Sequence, residues 1–340
     1  MKLLVDDEIK IEDWNQLLEE NKFSSPFQSF EYYQFMKSLP DITANAFAVD
    51  SGDGLLALCV ISILKEKGVA SYFSRRAIVY SGPLIKDGEE GMKGLEQLLD
   101  GINSQLKGSA IYGETYNFFN YSDYKHIFES KGWTYYPHYN VKIPIRDSKL
   151  EDILSTMKYN RRREIKMSLK AGAYIKEAEK SEEIADLYHI LVDLYKSRVK
   201  LPLPSLEFFQ GFKQSTIGKV LLVMHEDRVI GGCFCVFLPN KSIYTYYYCG
   251  LRDYHKSIFP AHLAVYAAIE FAVKNNLHLV DLMGAGKPDK EYGVRESKMR
   301  FGGDLVEEGR YKIIFNQVLF KVGVAGLKLT QKLSLSSNSQ

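Results

Sequence analysis

Apolar residues in this chain fall into short runs broken by turn-forming clusters, and the runs recur in the same order in both halves. In the first half "ANAFAVD" breaks at Ser51-Gly-Asp-Gly54 and resumes as "LLALCVISILK", which predicts a β-hairpin. In the second half "KVLLVM" breaks at His225-Glu-Asp-Arg228 and resumes as "VIGGCFCVFLP", the same device. A further strand follows each hairpin ("RRAIVYSGPLI", "SIYTYYYCGLR"). A helical pattern comes next ("EEGMKGLEQLLDGINSQL", "AHLAVYAAIEFAVKNN"), and then another strand ("GSAIYGETY", "LHLVDLMGAG"). Two copies of a hairpin, strand, helix, strand unit are therefore expected. Between them "IPIRDSKLEDIL" leaves an extended segment for a helix that Asp147 or Ser148 can cap, which places the domains at 1–148 and 149–316. The remaining "NQVLFKVGVAGLKLTQKL" predicts a helix over 317–335 that returns to the first domain, and "SLSSNSQ" is expected to fray.

Composition agrees with two globular domains: 340 residues, 46% hydrophobic and 25% charged. A net charge of +2 excludes a histone-like or coating role, so any contact with an anionic partner must come from local clusters. The N-terminus "MKLLVDDEIKIEDW" turns acidic without an apolar h-region, and no run reaches the roughly 18 apolar residues of a membrane span. A cytoplasmic protein is expected. Cys59, Cys233, Cys235 and Cys249 lie in apolar strand-like runs without Cys-x-x-Cys spacing, and are read as buried reduced thiols.

Several stretches carry candidate chemistry. "RESKMRFGG" places Arg295, Lys298 and Arg300 beside a Phe-Gly-Gly turn. If it is extended, Lys298 and Arg300 share one side while Met299 and Phe301 enter the core. In "KYNRRREIKMSLKAG" the cations Lys158, Arg162, Lys166 and Lys170 stack at i+4, with Ile165 and Leu169 as part of an apolar face. That stripe is either a solvated face or a seat for an anionic partner such as phosphate. "SIYTYYYCG" alternates Tyr244, Tyr246 and Tyr248 on one strand face against Ile243, Thr245 and Tyr247 on the other, so the tyrosines either line a groove or simply pack. "GAGKPDK" fails as a phosphate loop, since Pro288 follows Lys287 and Asp289 stands where a third glycine is required. Asp281, at a strand end, is a structural or a site carboxylate. No G-x-S-x-G elbow exists, the seven histidines lack metal-ligand spacing, and His189 reads as packed on its helix.

Taken in order, "SSPFQSFEYYQFMKS", "YNRRREIKMSLKAG", "YYYCGLRDYHKSIFPAHLAVYAAIEFA", "LHLVDLMGAG" and "SKMRFGGDLVE" resemble the Fem-type (FemABX) aminoacyltransferases of peptidoglycan bridge synthesis. The resemblance spans most of the chain. It implies an α/β (α+β) fold of two tandem GNAT-like domains, each a mixed, twisted sheet flanked by helices, without the coiled-coil arm of larger members. It also implies transfer of an amino acid from the acceptor end of an aminoacyl-tRNA to a peptide amine on a UDP-muramyl-peptide or lipid-linked precursor, by a monomer with no cofactor and no metal. Lys298 matches the family's transfer-site lysine, where a fixed cation stabilises a tetrahedral oxyanion or anchors a carboxylate. Lys37 matches a lysine that contacts the acceptor diphosphate, and Arg198 falls near a family arginine. With Tyr246, Tyr248 and Arg300 they complete the expected substrate-binding set. Pro204, Phe208 and Ser297 depart from the family pattern and bear on the acceptor.

Two alternatives stand beside this reading. One is a GNAT-like acyltransferase that uses acyl-CoA or another thioester on a sugar, lipid or exopolysaccharide amine. "LRDYHKSIFPAHLAVY" has no glycine-rich turn for the coenzyme diphosphate, which counts against it. The other is a non-catalytic muramyl-peptide-binding module, with peripheral membrane contact through Lys321, Lys328 and Lys332.

Overall fold

The computed structural model describes residues 1–65 and 71–336 and forms two compact units, residues 1–136 with 309–340, and residues 137–308. The first unit contributes β1 (Lys2–Val5), α1 (Ile11–Glu20), α2 (Phe30–Lys37), β2 (Ile42–Asp50), β3 (Leu55–Leu64) and α3 (Ser71–Ser74). It continues with β4 (Arg76–Ser81), β5 (Leu84–Ile85), α4 (Glu89–Leu106), β6 (Tyr112–Asn117), α5 (Lys125–Ser130) and β7 (Thr134–Tyr136). The second unit runs β8 (Tyr139–Pro144), α6 (Leu150–Thr156), α7 (Tyr159–Lys170), β9 (Tyr174–Glu177), α8 (Ser181–Leu194) and α9 (Leu206–Gln214). Then come β10 (Gly218–His225), β11 (Arg228–Leu238), β12 (Ser242–Gly250), α10 (Pro260–Lys274), β13 (Leu279–Gly284), α11 (Gly293–Met299) and β14 (Asp304–Glu307). The chain re-enters the first unit as β15 (Arg310–Ile314) and α12 (Gln317–Ser336). The end of "SLSSNSQ", expected to fray, and the side chains of Lys328 and Lys332 lie outside the described residues.

Each unit has its own mixed sheet. The first is ordered β1-β2-β3-β4-β6-β15-β7, with β5 added to β3, and the second β14-β8-β13-β12-β11-β10-β9. The repeat seen in the sequence is the architecture: hairpin β2/β3, strand β4, helix α4 and parallel strand β6 correspond to β10/β11, β12, α10 and parallel β13. The second hairpin turns on Glu226 and Asp227, both at positive φ, the conformation a two-residue hairpin turn needs. Two strands cross the boundaries read from the sequence. β8 lies before residue 148 yet pairs between β13 and β14, and β15 lies before residue 316 yet pairs between β6 and β7. Which sheet offers a strand its partners is not recorded in that strand's own pattern.

Burial follows the apolar runs. β3 is buried along almost its whole length, so both its faces are covered and it reads as a continuous apolar stretch rather than an alternating one. Helix α10 starts on Pro260, whose fixed φ suits a first turn, and packs on β10, β11 and β12, with Ala264, Ala267, Ala268 and Ala272 among its buried residues. The approach is close enough that a Cβ on Gly250 would lie 2.3 Å from the Ala261 nitrogen. All four cysteines are buried and unpaired. His189, expected to pack, is instead exposed on α8. No helix of the described residues is long and apolar enough to cross a membrane.

Candidate functional site

The two parallel strand pairs differ in one respect that locates a site. In the first unit β4 and β6 stay paired over six residues, from Arg76 with Tyr112 to Ser81 with Asn117. In the second unit β12 and β13 pair only over Ser242–Tyr244 with Leu279–Asp281, and β12 continues to Gly250 without β13. The strands therefore separate beyond Tyr244 and Asp281. An opening at the carboxyl ends of parallel strands is where open α/β sheets take ligands.

β13 is itself distorted at this point. Its register against β8 shifts between Asp281 and Gly284, and Met283 sits at φ 62°, a left-handed conformation that a non-glycine residue adopts only when its surroundings hold it there. The Met283 N–H donates to Asp281 Oδ1 at 2.5 Å, which braces the bulge. The bulge turns the carbonyls of Leu282 and Gly284 toward one amine: Lys298 Nζ donates to them at 2.5 and 2.9 Å.

Lys298 lies in α11 and only 6% of it is exposed. The segment 293–299 is helical and not extended as the sequence suggested, so neighbouring residues leave the backbone in different directions: Lys298 is buried while Arg300, the C-cap, is exposed. Phe301 does enter the core. Burial lowers the Lys298 ammonium to about 8, against the opposing pull of Asp281 and Cys233. Asp281 is pushed up to about 6 by burial, with Lys142, the Met283 N–H and Lys298 working the other way. Its second oxygen, Oδ2, has no hydrogen-bond partner among the described residues. Lys142 in turn pairs with Glu308. Arg295, the third cation of the motif, is structural. It donates to the carbonyls of Ala285, Lys287 and Lys290 and stacks over Tyr139, holding the 285–290 loop.

A second layer joins α7 to α11. Arg161 is 2% exposed, its guanidinium lies 4.2 Å from the Phe301 ring centroid, and it donates to Ser297 Oγ at 3.4 Å. Glu164 Oε2 lies 3.8 Å from Arg161 Nε and 3.1 Å from His262 Nδ1. Burial, with Arg161 and Arg300 nearby, lowers His262 to about 4 and keeps it neutral. In the sequence Arg161 is hidden inside the run Arg161-Arg162-Arg163. The signal that would have separated it is its i+4 relation to buried Ile165 and i+7 relation to buried Ser168. Leu169, expected on that apolar face, is 38% exposed.

The remaining expected residues are dispersed. A bulge between Phe234 and Cys235 leaves Tyr246 as the extra residue of β12, which breaks the expected alternation. Tyr246 and Tyr247 both pack against the α9 aromatics, Phe208 among them, whereas Tyr248 turns to the opposite core with Ile243 and Cys233. Tyr246 and Tyr248 therefore do not form one row. Arg198 is exposed in a π-helical turn, Tyr195–Val199. Lys37 belongs to the first unit, where Nζ meets Tyr33 Oη at 2.9 Å and Asp7 at 3.3 Å.

Comparisons with known proteins bear on the family and the fold. A sequence model of the FemAB-like family, described as peptidoglycan biosynthesis/recognition, matches residues 83–293. No curated protein matches in sequence. Among solved structures, FemX superposes with a TM-score of 0.71 at 13% identity, covering 95% of this chain and 99% of that one. A tandem GNAT protein from the clavulanic acid biosynthesis pathway gives 0.57 at 8% identity, covering 93% and 99%. L-PGS from Bacillus licheniformis gives 0.56 at 12% identity, covering 94% and 96%. At these identities the likeness is one of fold, and that fold is the tandem GNAT arrangement.

Proposed function

The chain belongs to the FemAB-like family of peptidoglycan biosynthesis and recognition proteins, and from that premise we propose that it is an acyltransferase that moves an amino acid from an aminoacyl-tRNA ester to the peptide amine of a peptidoglycan precursor. The observation that carries the reading is the Lys298 ammonium, buried and aimed by a strained bulge where β12 and β13 part. An ammonium has three protons. Two are held by the Leu282 and Gly284 carbonyls, which leaves one to offer a ligand.

In aminolysis the acceptor amine attacks the ester carbonyl carbon, and the carbonyl oxygen carries negative charge until the C–O bond to the ribose breaks; the nitrogen gives up one proton and the departing ribose oxygen takes one, leaving an amide and a free hydroxyl. A cation already fixed and desolvated stabilises that oxyanion without reorganising when the charge appears. Asp281 keeps Lys298 charged despite burial, and the carbonyl pair sets its direction. Within the second unit this reading keeps Arg198, Tyr248 and Arg300 as its substrate-binding residues; Tyr246 is packed on the α9 aromatics, and Lys37 belongs to the first unit. Tyr248 and Arg300 are the members with electrostatic links to Arg161, which bonds Ser297 next to the lysine.

The test is mass spectrometry of a UDP-muramyl-pentapeptide incubated with a pool of charged tRNAs and either wild type or Lys298→Met. A gain of one amino-acid residue that disappears in the variant supports the reading and names the donor. A folded wild-type protein that gives no gain with the precursor or its lipid-linked form overturns it.

A further inference from the structure

Helices α6 and α7 enclose a groove of about 540 Å³ lined by Glu151, Leu154, Ser155, Tyr159, Arg162, Arg163, Lys166, Met167 and Lys170. Its charge is one-sided: four cations against one carboxylate. Among the described residues none of Arg162, Arg163, Lys166 and Lys170 has a carboxylate within 4 Å. The carboxylate nearest to them in sequence, Glu164, turns to the buried side and is taken up by Arg161 and His262. Cations stacked at i+3 and i+4 repel. Arg162 donates to the Ser155 carbonyl at 3.4 Å and the Arg163 guanidinium lies 6.0 Å from the Tyr159 ring centroid, contacts that leave the excess positive charge in place.

The apolar groups between these cations narrow what would. Leu154 and Met167 are half-buried in the groove, the Tyr159 ring is 67% exposed, and Leu169 emerges on the outer side of α7. Lysine and arginine stems with their heads in water, interleaved with tyrosine and leucine, suit the boundary between headgroups and acyl chains. A nucleic-acid strand would match the charges and could stack on Tyr159, but it would have no use for Leu154, Met167 and Leu169.

We propose that the α6–α7 groove docks the protein on an anionic phospholipid surface, its four cations meeting lipid phosphates and Tyr159 and Leu169 entering the headgroup region. Attraction of basic segments to anionic lipid operates within a Debye length, so docking is reversible and salt-dependent. The buried face of α7, Arg161, Ile165 and Ser168, stays in the core, so the helix docks by side chains alone and does not insert. The groove is tied to the candidate site: the Lys158 N–H donates to the Arg300 carbonyl at 3.1 Å, at the end of the helix that carries Lys298. The proposal stands on the charge pattern and does not require the transfer reading.

The test is co-sedimentation of the full chain with vesicles of phosphatidylglycerol and phosphatidylcholine, and of phosphatidylcholine alone, at low and high salt. Wild type is expected to bind only the anionic vesicles and to leave them at high salt. The double variant Arg163→Glu/Lys166→Glu, both positions exposed, is expected to fold normally by circular dichroism and to bind on the order of 100-fold more weakly. Absence of wild-type binding to anionic vesicles at low salt overturns the proposal. So does equal binding by the double variant. A third overturning result is a variant that loses affinity for single-stranded RNA while keeping its affinity for vesicles.

Discussion

Replacing Lys298 with methionine removes one titrating group from a buried place, and the consequence can be read without knowing the substrate. The folded-state value of about 8 lies below the ordinary 10.5, so between these the unfolded chain holds a proton that the native protein has released. Stability must then rise with pH across that window. At about 1.36 kcal/mol for each pH unit that separates the two values, the ammonium opposes folding by about 3 kcal/mol at neutral pH, and the penalty shrinks as pH rises from about 8 toward 10.5. Wild type should therefore gain about 1 kcal/mol relative to Lys298→Met for each pH unit between about 8.5 and 9.5.

The assay is urea unfolding of both proteins at several pH values, followed by far-UV circular dichroism. Tryptophan fluorescence is recorded beside it and reports the first unit, where Trp14 and Trp133 both lie. Parallel pH dependences for the two proteins would refute the reasoning, since a lysine that unfolds without taking up a proton was never desolvated in the fold.

Other outcomes follow from the same geometry. In the mass-gain assay Lys298→Met should lower the transfer rate on the order of 100- to 1000-fold, the usual loss for one oxyanion-stabilising donor. The wild-type rate should fall as pH rises through about 8, and Lys298→Arg, charged throughout, should lose that alkaline limb. His262, lowered to about 4, should show no imidazole titration by NMR between pH 5 and 8; because its folded value lies below the unfolded one, its contribution to stability is lost as pH falls from about 6.5 toward 4. Gly303→Ala should destabilise the second unit by about 1–3 kcal/mol in thermal melts, since a Cβ there would lie 2.3 Å from the Lys142 carbonyl at a φ of +89°.

What this sequence determined by itself is the order of elements and their duplication. Apolar runs, turn clusters and one helical pattern per copy are local properties, and they put hairpin, strand, helix and strand where the sheets have them. The motif around Lys298 was equally visible, because charge beside a Phe-Gly-Gly turn is a matter of composition. Three things were decided only by tertiary structure. Which sheet takes β8 and β15 depends on where each sheet offers a partner, so the strand swap across the expected boundaries could not be read locally. The bulge opposite Cys235 comes from pairing two strands with unequal residue counts, and that one extra residue sends Tyr248 away from Tyr246. The state of Lys298 depends on a carbonyl pair 14 and 16 residues earlier in the chain, turned inward by Met283 in a conformation its own residue type disfavours. A sequence records that a lysine is present; only the packed fold can strip its water and hold it charged.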